Sequence, residues 1–259
     1  MSEAFSLAAL QAKLTTEFIG RTAVYQERIG STMDVAHEEA EGGAPDGMIV
    51  VADEQTHGKG RGGRSWVSPP RSNVYVTVVL RPDAATARSL AMTVALAICE
   101  AADAVAGTRS AIKWPNDVLI GGRKVAGVLI DLRFAGDELD YALLGVGINV
   151  NFDPERYEEI AASATSLKRE TGREVSREAV LATFLERLES LYVAARRGES
   201  AAGSWKERLE TLGRRVTVRI GDRVEEGMAE DVDANGNLLL RRPDGSVIPL
   251  AAGDVTLEA

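Results

Sequence analysis

The chain is poor in the residues that build covalent and metal-bound sites. Of its 259 residues one is cysteine, Cys99, and two are histidine, His37 and His57. A single cysteine excludes an intrachain disulfide framework and gives secretion no support. The three residues together are too few for a zinc site of the usual His/Cys kind, and no metal-ligating set is expected from the protein. Long apolar runs are missing as well. The best, residues 90–99, is half of the roughly 20 residues a membrane-spanning helix needs. Glu3 and no basic cluster precede the first apolar stretch, so no signal peptide is expected. Positive charge is in deficit, with 30 Lys and Arg against 39 Asp and Glu and a net charge of −9. General nucleic-acid binding rests on Lys and Arg neutralising phosphates, so it is not expected either. Together these absences predict a soluble cytoplasmic protein with no membrane partner.

What is present is ordinary for a globular protein, with 45% hydrophobic and 27% charged residues. The length allows one large domain plus a small one. Residues 1–20 read as one amphipathic helix, too short for a winged-helix or helix-turn-helix module, so repression of transcription is not expected. A strand is predicted at 24–29. Ser31 and Thr32 then offer N-cap hydroxyls to a helix reaching Glu41, which Gly42, Gly43 and Pro45 stop. Residues 47–54 form a continuous apolar run that suggests a strand buried on both faces. Residues 74–80 are a strand by β-branched content, and 87–105 are the clearest helix. Short strands follow at 111–113, 117–120, 124–133 and 139–146, with a hairpin turn at Gly121-Gly122. Helices are predicted at 176–197 and 205–212. A βα start followed by hairpin-linked strands predicts an α+β fold with a mixed, largely antiparallel sheet. From Gly213 the composition changes to short strands, at 215–220, 224–229, 237–241 and 246–250, divided by Gly221-Asp222, Asn235-Gly236 and Asp244-Gly245. That spacing suggests a small five-stranded SH3-like barrel. The expected division is residues 1–212 and 213–259.

One segment reverses the overall charge. Residues 55–82 hold five cations (Lys59, Arg61, Arg64, Arg71 and Arg81) and no acid. Within it Gly58, Gly60 and Gly63 spell G-x-G-x-x-G, a weak match by itself. A dinucleotide-binding reading needs a helix directly after the glycines, and Trp66-Val67-Ser68-Pro69-Pro70 cannot open one. A protein kinase needs H-R-D and D-F-G, both absent, and a Walker A loop needs Ser or Thr where Gly60 follows Lys59. What remains is a loop in which glycines let the backbone come close to a ligand and cations contact an anion. Such a loop has high entropy when free. It is expected to order around its ligand and shield a reactive intermediate from water. The simpler alternative is a loose surface connection.

A second cluster is Lys113-Trp114-Pro115-Asn116-Asp117. The Gly121-Gly122 turn folds Lys124 back toward Asn116 and Asp117, so that a cation, an amide and a carboxylate converge. That arrangement suits activation of a carboxylic acid by a nucleotide, because the lysine offsets negative charge on both reacting anions. Taken alone, Lys124 reads more simply as a hairpin surface lysine and Asp117 as a turn residue.

Five segments, in order and spacing, make the sequence resemble the biotin protein ligases. They are Ser31-Thr32-Met33, residues 54–66 around the glycine loop, residues 113–117, Arg123-Lys124-Val125-Ala126-Gly127-Val128-Leu129, and Gly145-Val146-Gly147-Ile148-Asn149-Val150-Asn151. The resemblance spans residues 22–259. It implies the mixed sheet shared with class II aminoacyl-tRNA synthetases, followed by the small barrel. It also implies a two-step reaction. Biotin and ATP, with Mg²⁺ on the phosphates, give biotinyl-5′-AMP. A lysine of a biotin carboxyl carrier protein then takes the biotinyl group and AMP leaves. By similarity, Ser31, Thr32, Gln55 and the backbone at Gly58 and Lys59 hold the ureido head of biotin, and Arg61 sits in the loop that closes on the adenylate. Lys124 meets the biotin carboxylate and α-phosphate. Trp66, Asn116 and Asn149, with Arg61, belong to the nucleotide side. Lys124, Arg61 and Asp117 are the catalytic candidates. Asp117 is assigned to assisting the acceptor lysine, or alternatively to orienting Lys124.

The ureido group carries donors and an acceptor, which hydroxyls, an amide and main-chain N–H groups suit. Two positions depart from the family pattern. Met33 stands where asparagine is common, and Lys59 stands where the first loop arginine is common; lysine is a weaker bidentate partner for phosphate. The missing DNA-binding module predicts a monofunctional ligase with no nucleic-acid partner, as monomer or homodimer. The competing readings are a lipoate or octanoyl transferase of the same fold, and a non-catalytic biotin-binding module.

Overall fold

The computed structural model describes residues 4–257. Its larger unit is a seven-stranded sheet. The strands are β1 (Ala23–Ile29), β2 (Ile49–Gln55), β3 (Val74–Leu80), β4 (Ala111–Lys113), β5 (Asp117–Ile120), β6 (Arg123–Ala135) and β7 (Glu138–Ile148). Their order is β1-β2-β3-β7-β6-β5-β4, and only the β1–β2 pair is parallel. The mixed, largely antiparallel sheet is therefore as expected. The helices are α1 (Leu7–Gln11), α2 (Thr32–Glu41), α3 (Ala84–Ala87), α4 (Leu90–Ala106), α5 (Leu167–Thr171), α6 (Arg177–Arg196) and α7 (Ala202–Lys206). None of the described helices is long and apolar enough to cross a membrane.

Alternation along β7 sorts its side chains onto two faces. Ala142, Leu144, Val146 and Ile148 join the main core with α4 and α6, while Tyr141 and Leu143 join a second cluster under α2. β3 is buried throughout, which explains its unbroken apolar pattern. Ser31 caps α2 by accepting the Met33 N–H, and Gly121 and Gly122, at φ of 57° and 73°, make the β5–β6 turn.

Several expected elements are corrected. The helix read over residues 1–20 shrinks to α1; residues 1–3 lie outside the described part. The chain before β1 cannot continue as helix because the Glu189 carboxylate of α6 accepts the N–H groups of Glu17, Phe18 and Ile19, at 2.6–2.9 Å. The helix read at 205–212 ends at Lys206, since Ile112 donates to the carbonyl of Arg208 and Glu210 donates back to Ile112. α3 and α5 had no counterpart in the sequence reading.

The C-terminal strands are β8 (Arg215–Ile220), β9 (Arg223–Val232), β10 (Leu238–Arg241), β11 (Val247–Leu250) and β12 (Asp254–Leu257), in the order β11-β10-β9-β8-β12. The four strands located in the sequence are present and β12 is the fifth, which the sequence reading did not place; among the described residues no ladder joins β11 to β12, so the sheet is open rather than a closed barrel. It is docked on the larger unit through the fully buried Trp114, whose indole N–H donates to Gly236 O at 2.9 Å and whose backbone N–H donates to Thr211 Oγ1 at 2.9 Å.

A buried ion pair ties α6 to the sheet. Arg177 donates to Asp53 of β2, and both are essentially without solvent contact. Asp53 also accepts the Phe5 N–H at 3.2 Å and the Tyr25 hydroxyl at 3.0 Å. Burial first, then the bond to this carboxylate, pushes the Tyr25 phenol up to about 12. Arg177→Ala would leave Asp53 charged and unpaired in the core. Urea unfolding is expected to show a loss of about 3–5 kcal/mol, whereas exposed Arg156→Ala should change stability by under about 0.5 kcal/mol.

Candidate active site

β5, β6 and β7, the glycine loop, the segment after β7 and strand β12 enclose a cavity of about 600 Å³. Its floor is backbone. Gly127 of β6 is paired directly with Gly147 of β7. A Cβ on Gly147 would lie 2.4 Å from the Trp66 ring, one on Gly127 would meet Trp66 and Lys124 at 3.0 Å, and one on Gly145 would lie 2.6 Å from Met33 Sδ. None of the three has positive φ. Glycine is needed here for room, so that Trp66, Lys124 and Met33 can lie flat on the sheet.

One end of the cavity is polar and uncharged. The Thr32 N–H and hydroxyl both donate to Gln55 Oε1, at 2.9 and 3.0 Å, and Thr77 donates to the Thr32 hydroxyl at 2.9 Å. Gln55 Nε2 donates to Ser68 Oγ at 3.0 Å, and Ser68 donates to the Trp66 carbonyl at 3.0 Å. Ser31 is buried at the α2 cap beside them. Thr77 and Ser68 were missed by the sequence reading. Thr77 carried a usable signal, as the one aliphatic hydroxyl in the apolar run 74–80.

The glycine loop is folded over this cavity. Lys59 and Ser65 form an isolated antiparallel bridge, and Gly62 and Gly63 turn the chain at φ of 62° and 75°. Gly58 does not line the cavity. A Cβ there would lie 2.5 Å from the Trp66 carbonyl, so its role is to let the two limbs of the loop approach. The Lys59 ammonium turns to Asp34, while Arg61 reaches across and donates to Asn116 Oδ1 at 3.0 Å. Asn116 in turn donates to the Val128 carbonyl. Arg64 pairs with Asp254 of β12 at 2.6 Å. That link between loop and C-terminal sheet had no sequence signal, because 190 residues separate the partners.

Lys124 and Asp117 meet as expected. Lys124 Nζ lies 2.7 Å from Asp117 Oδ1 and 5.1 Å above the Trp66 ring centre. The Trp66 indole N–H is buried without a hydrogen-bond partner, which leaves a free donor beside the cavity. Asn149 is buried at the far end of β7, near the apolar Phe152, Ile160 and Ala164. These three were also missed, since their segment has no periodicity. Five cations (Lys59, Arg61, Arg64, Lys113 and Lys124) and three acids (Asp117, Glu210 and Asp254) line the cavity. In a chain of net charge −9, that local surplus favours an anionic ligand.

The chain matches the Biotin/lipoate A/B protein ligase family over residues 25–149 and the Biotin protein ligase C terminal domain over residues 211–257. It is 34% identical to the bifunctional ligase/repressor BirA of Bacillus spizizenii, covering 90% of this chain and 73% of that protein. The chain belongs to the biotin protein ligase family. It is also 37% identical to a biotin–[acetyl-CoA-carboxylase] ligase of Paracoccus denitrificans, over 78% of this chain and 88% of that one. The biotin protein ligase of Aquifex aeolicus, solved with biotin and ATP, superimposes with a TM-score of 0.78 at 27% identity, covering 92% of this chain and 99% of that one. Family membership accounts for the shared fold; the glycine floor and the polar end are this chain's own geometry.

Gly147→Ala tests the floor. The added methyl has no φ penalty but occupies the space of the Trp66 ring. Far-UV circular dichroism is expected to stay unchanged while the Trp66 contribution to fluorescence shifts. If the spectrum of Gly147→Ala overlays the parent's, with Trp66→Phe as reference, Trp66 does not rest on this glycine.

Proposed function

We propose that the cavity activates biotin with ATP and passes the biotinyl group to a lysine of a biotin carboxyl carrier domain. The observation that carries this is the position of Lys124. It lines the same cavity as Thr32, Gln55 and the loop cations, 2.7 Å from Asp117 and 5.1 Å above the Trp66 ring centre. Ser31, Thr32 and Gln55 line the polar end, with Thr77 and Ser68 bonded behind them, and this set suits the ureido head, which has two N–H donors and one carbonyl acceptor. The glycine floor and Trp66 suit the apolar rings and chain.

In the first step a biotin carboxylate oxygen attacks the α-phosphorus of ATP, and the bond to pyrophosphate breaks. Two anions must approach, and Lys124, with Arg61 lining the same cavity, offsets their charge where it concentrates. In the second step the acceptor amine, having lost its proton, attacks the anhydride carbonyl and AMP leaves. Arg61, bonded to Asn116 across the cavity, supports a lid role that keeps water from the anhydride. Magnesium would come on the triphosphate. Among the described residues no group of three His, Cys, Asp or Glu side chains could hold an ion alone.

The lipoate reading fits less well. A dithiolane ring has neither N–H nor carbonyl to meet the polar end. Covalent acyl transfer through a thiol finds no candidate, because Cys99 is buried in the core and burial pushes its thiol up to about 11. A pure binding module would not need a lysine–carboxylate pair between the two halves of the cavity. Mass spectrometry of a carrier domain incubated with this protein, biotin and Mg-ATP tests the activity. The expected gain is one biotinyl group on one lysine, dependent on both small molecules.

Lys124→Ala is expected to slow biotinyl-AMP formation by at least about 10²-fold, with binding of uncharged biotin analogues nearly unchanged. Unaltered biotin-dependent pyrophosphate exchange would sink the assignment. The short contact to Lys124 supports an orienting role for Asp117. Asp117→Asn is therefore expected to slow adenylate formation along with transfer. A loss confined to transfer from preformed biotinyl-AMP would instead give Asp117 the acceptor-side role.

A further inference from the structure

Asn149 faces the cavity, but its amide is not free to choose what it offers. Its Nδ2 donates to the Thr165 carbonyl at 3.0 Å and to the Lys124 carbonyl at 3.5 Å. Both amide hydrogens are thus directed at backbone acceptors. Its Oδ1 accepts one hydrogen bond, from Asn73 Nδ2 at 3.2 Å. Asn73 is 1% exposed and does not line the cavity. Its own orientation is set by the Val150 N–H, which donates to Asn73 Oδ1 at 2.9 Å.

The two amides therefore form an ordered relay. Turning Asn73 over would set its NH₂ against the Val150 N–H. Turning Asn149 over would set its oxygen against two carbonyls and its NH₂ against that of Asn73. A side-chain amide has two donors and two acceptor lone pairs. Three of the four sites on Asn149 are taken, and the one left is a lone pair on Oδ1.

We propose that Asn73 is a positioning residue that sets the nucleobase preference of the cavity, by holding Asn149 so that only a hydrogen-bond acceptor faces the base. The group the base presents there must be a donor. The exocyclic amine of a 6-aminopurine meets that demand. The 6-oxo group of hypoxanthine or guanine places a lone pair against a lone pair, in a buried site where the mismatch is not relieved by water. The inference rests on the reading that ATP enters this cavity.

The test compares ATP with inosine triphosphate, which differs at the purine 6-position and the adjacent ring nitrogen and keeps the ribose and phosphates. Biotin-dependent pyrophosphate exchange is measured for the full chain and for Asn73→Asp. Aspartate keeps the acceptor for the Val150 N–H but lacks the donor to Asn149. Its charge repels Oδ1 and attracts Nδ2, which opposes the hold of the Thr165 and Lys124 carbonyls on Nδ2 and favours turning the Asn149 amide. The parent is expected to favour ATP by about tenfold or more in kcat/KM. In Asn73→Asp that ratio should fall to within about threefold, with KM for biotin within about twofold of the parent. If the aspartate variant fails to unfold cooperatively, Asn73→Ala removes the donor without adding charge; the Thr165 and Lys124 carbonyls then hold the Asn149 amide alone, and the ratio is expected to fall by less than in the aspartate variant. A folded variant that keeps the parental ratio overturns the proposal, as does a parent that uses both nucleotides equally. A parent with no biotin-dependent exchange on either nucleotide would instead overturn the ligase reading itself.

Discussion

The site depends on a steric constraint in the middle of the large sheet. Gly127 and Gly147 face each other across the β6–β7 ladder, and Gly145 lies two residues away on the same side of β7. Any side chain at these positions would stand where the Trp66 ring, the Lys124 ammonium or the Met33 thioether now lies. On the opposite face of the same strands, Val128, Val146 and Ile148 are fully packed against helices. Stripping side chains from one face costs buried area and β-propensity. The other face recovers it, since apolar burial contributes about 25 cal/mol per Å². A strand can thus be bare on one side and still central to the core. Met33 belongs to this arrangement. The departure from asparagine removes an amide but supplies a flexible thioether that fills the space over Gly145.

Much of this was legible in the sequence because the signals were local. Ser31 before α2, the unbroken run of β3 and the Gly121-Gly122 turn each report their own neighbourhood, and all three appear as read. The meeting of Lys124 with Asp117 was also accessible, because one hairpin brings them together. What was not legible depends on residues far apart in the chain. Glu189 takes the backbone N–H groups of residues 17–19 and so prevents a helix whose composition looked adequate. The β4 bridge draws residues 208–210 out of a helical pattern in the same way. Gly58 looked like a ligand contact by its motif, yet its close neighbour is the Trp66 carbonyl of its own loop. Asn73 gave no signal at all, since its importance lies in which way a partner's amide is turned.

Two of the contacts between the C-terminal sheet and the larger unit differ greatly in strength, beside a shared apolar core and the Lys206–Asp231 pair. Trp114 is fully buried, and both its N–H groups are satisfied by residues at or beyond position 211. Removing a buried side chain of that size costs about 3–5 kcal/mol. Arg64 and Asp254 are a short pair, but their side chains are 62% and 48% exposed. Pairs of that exposure contribute about 0–1 kcal/mol. Salt screens the second contact far more than the first. β12 lines one side of the cavity, and the glycine loop lies across it, tied also by Arg61 to Asn116 and by Lys59 to Asp34. The motif from Lys113 to Asp117 reaches both the sheet and the loop. Its tryptophan seats the C-terminal sheet, its asparagine accepts from Arg61 of the glycine loop, and its aspartate pairs with Lys124, so three neighbouring residues tie together that sheet, the loop and the lysine of the cavity.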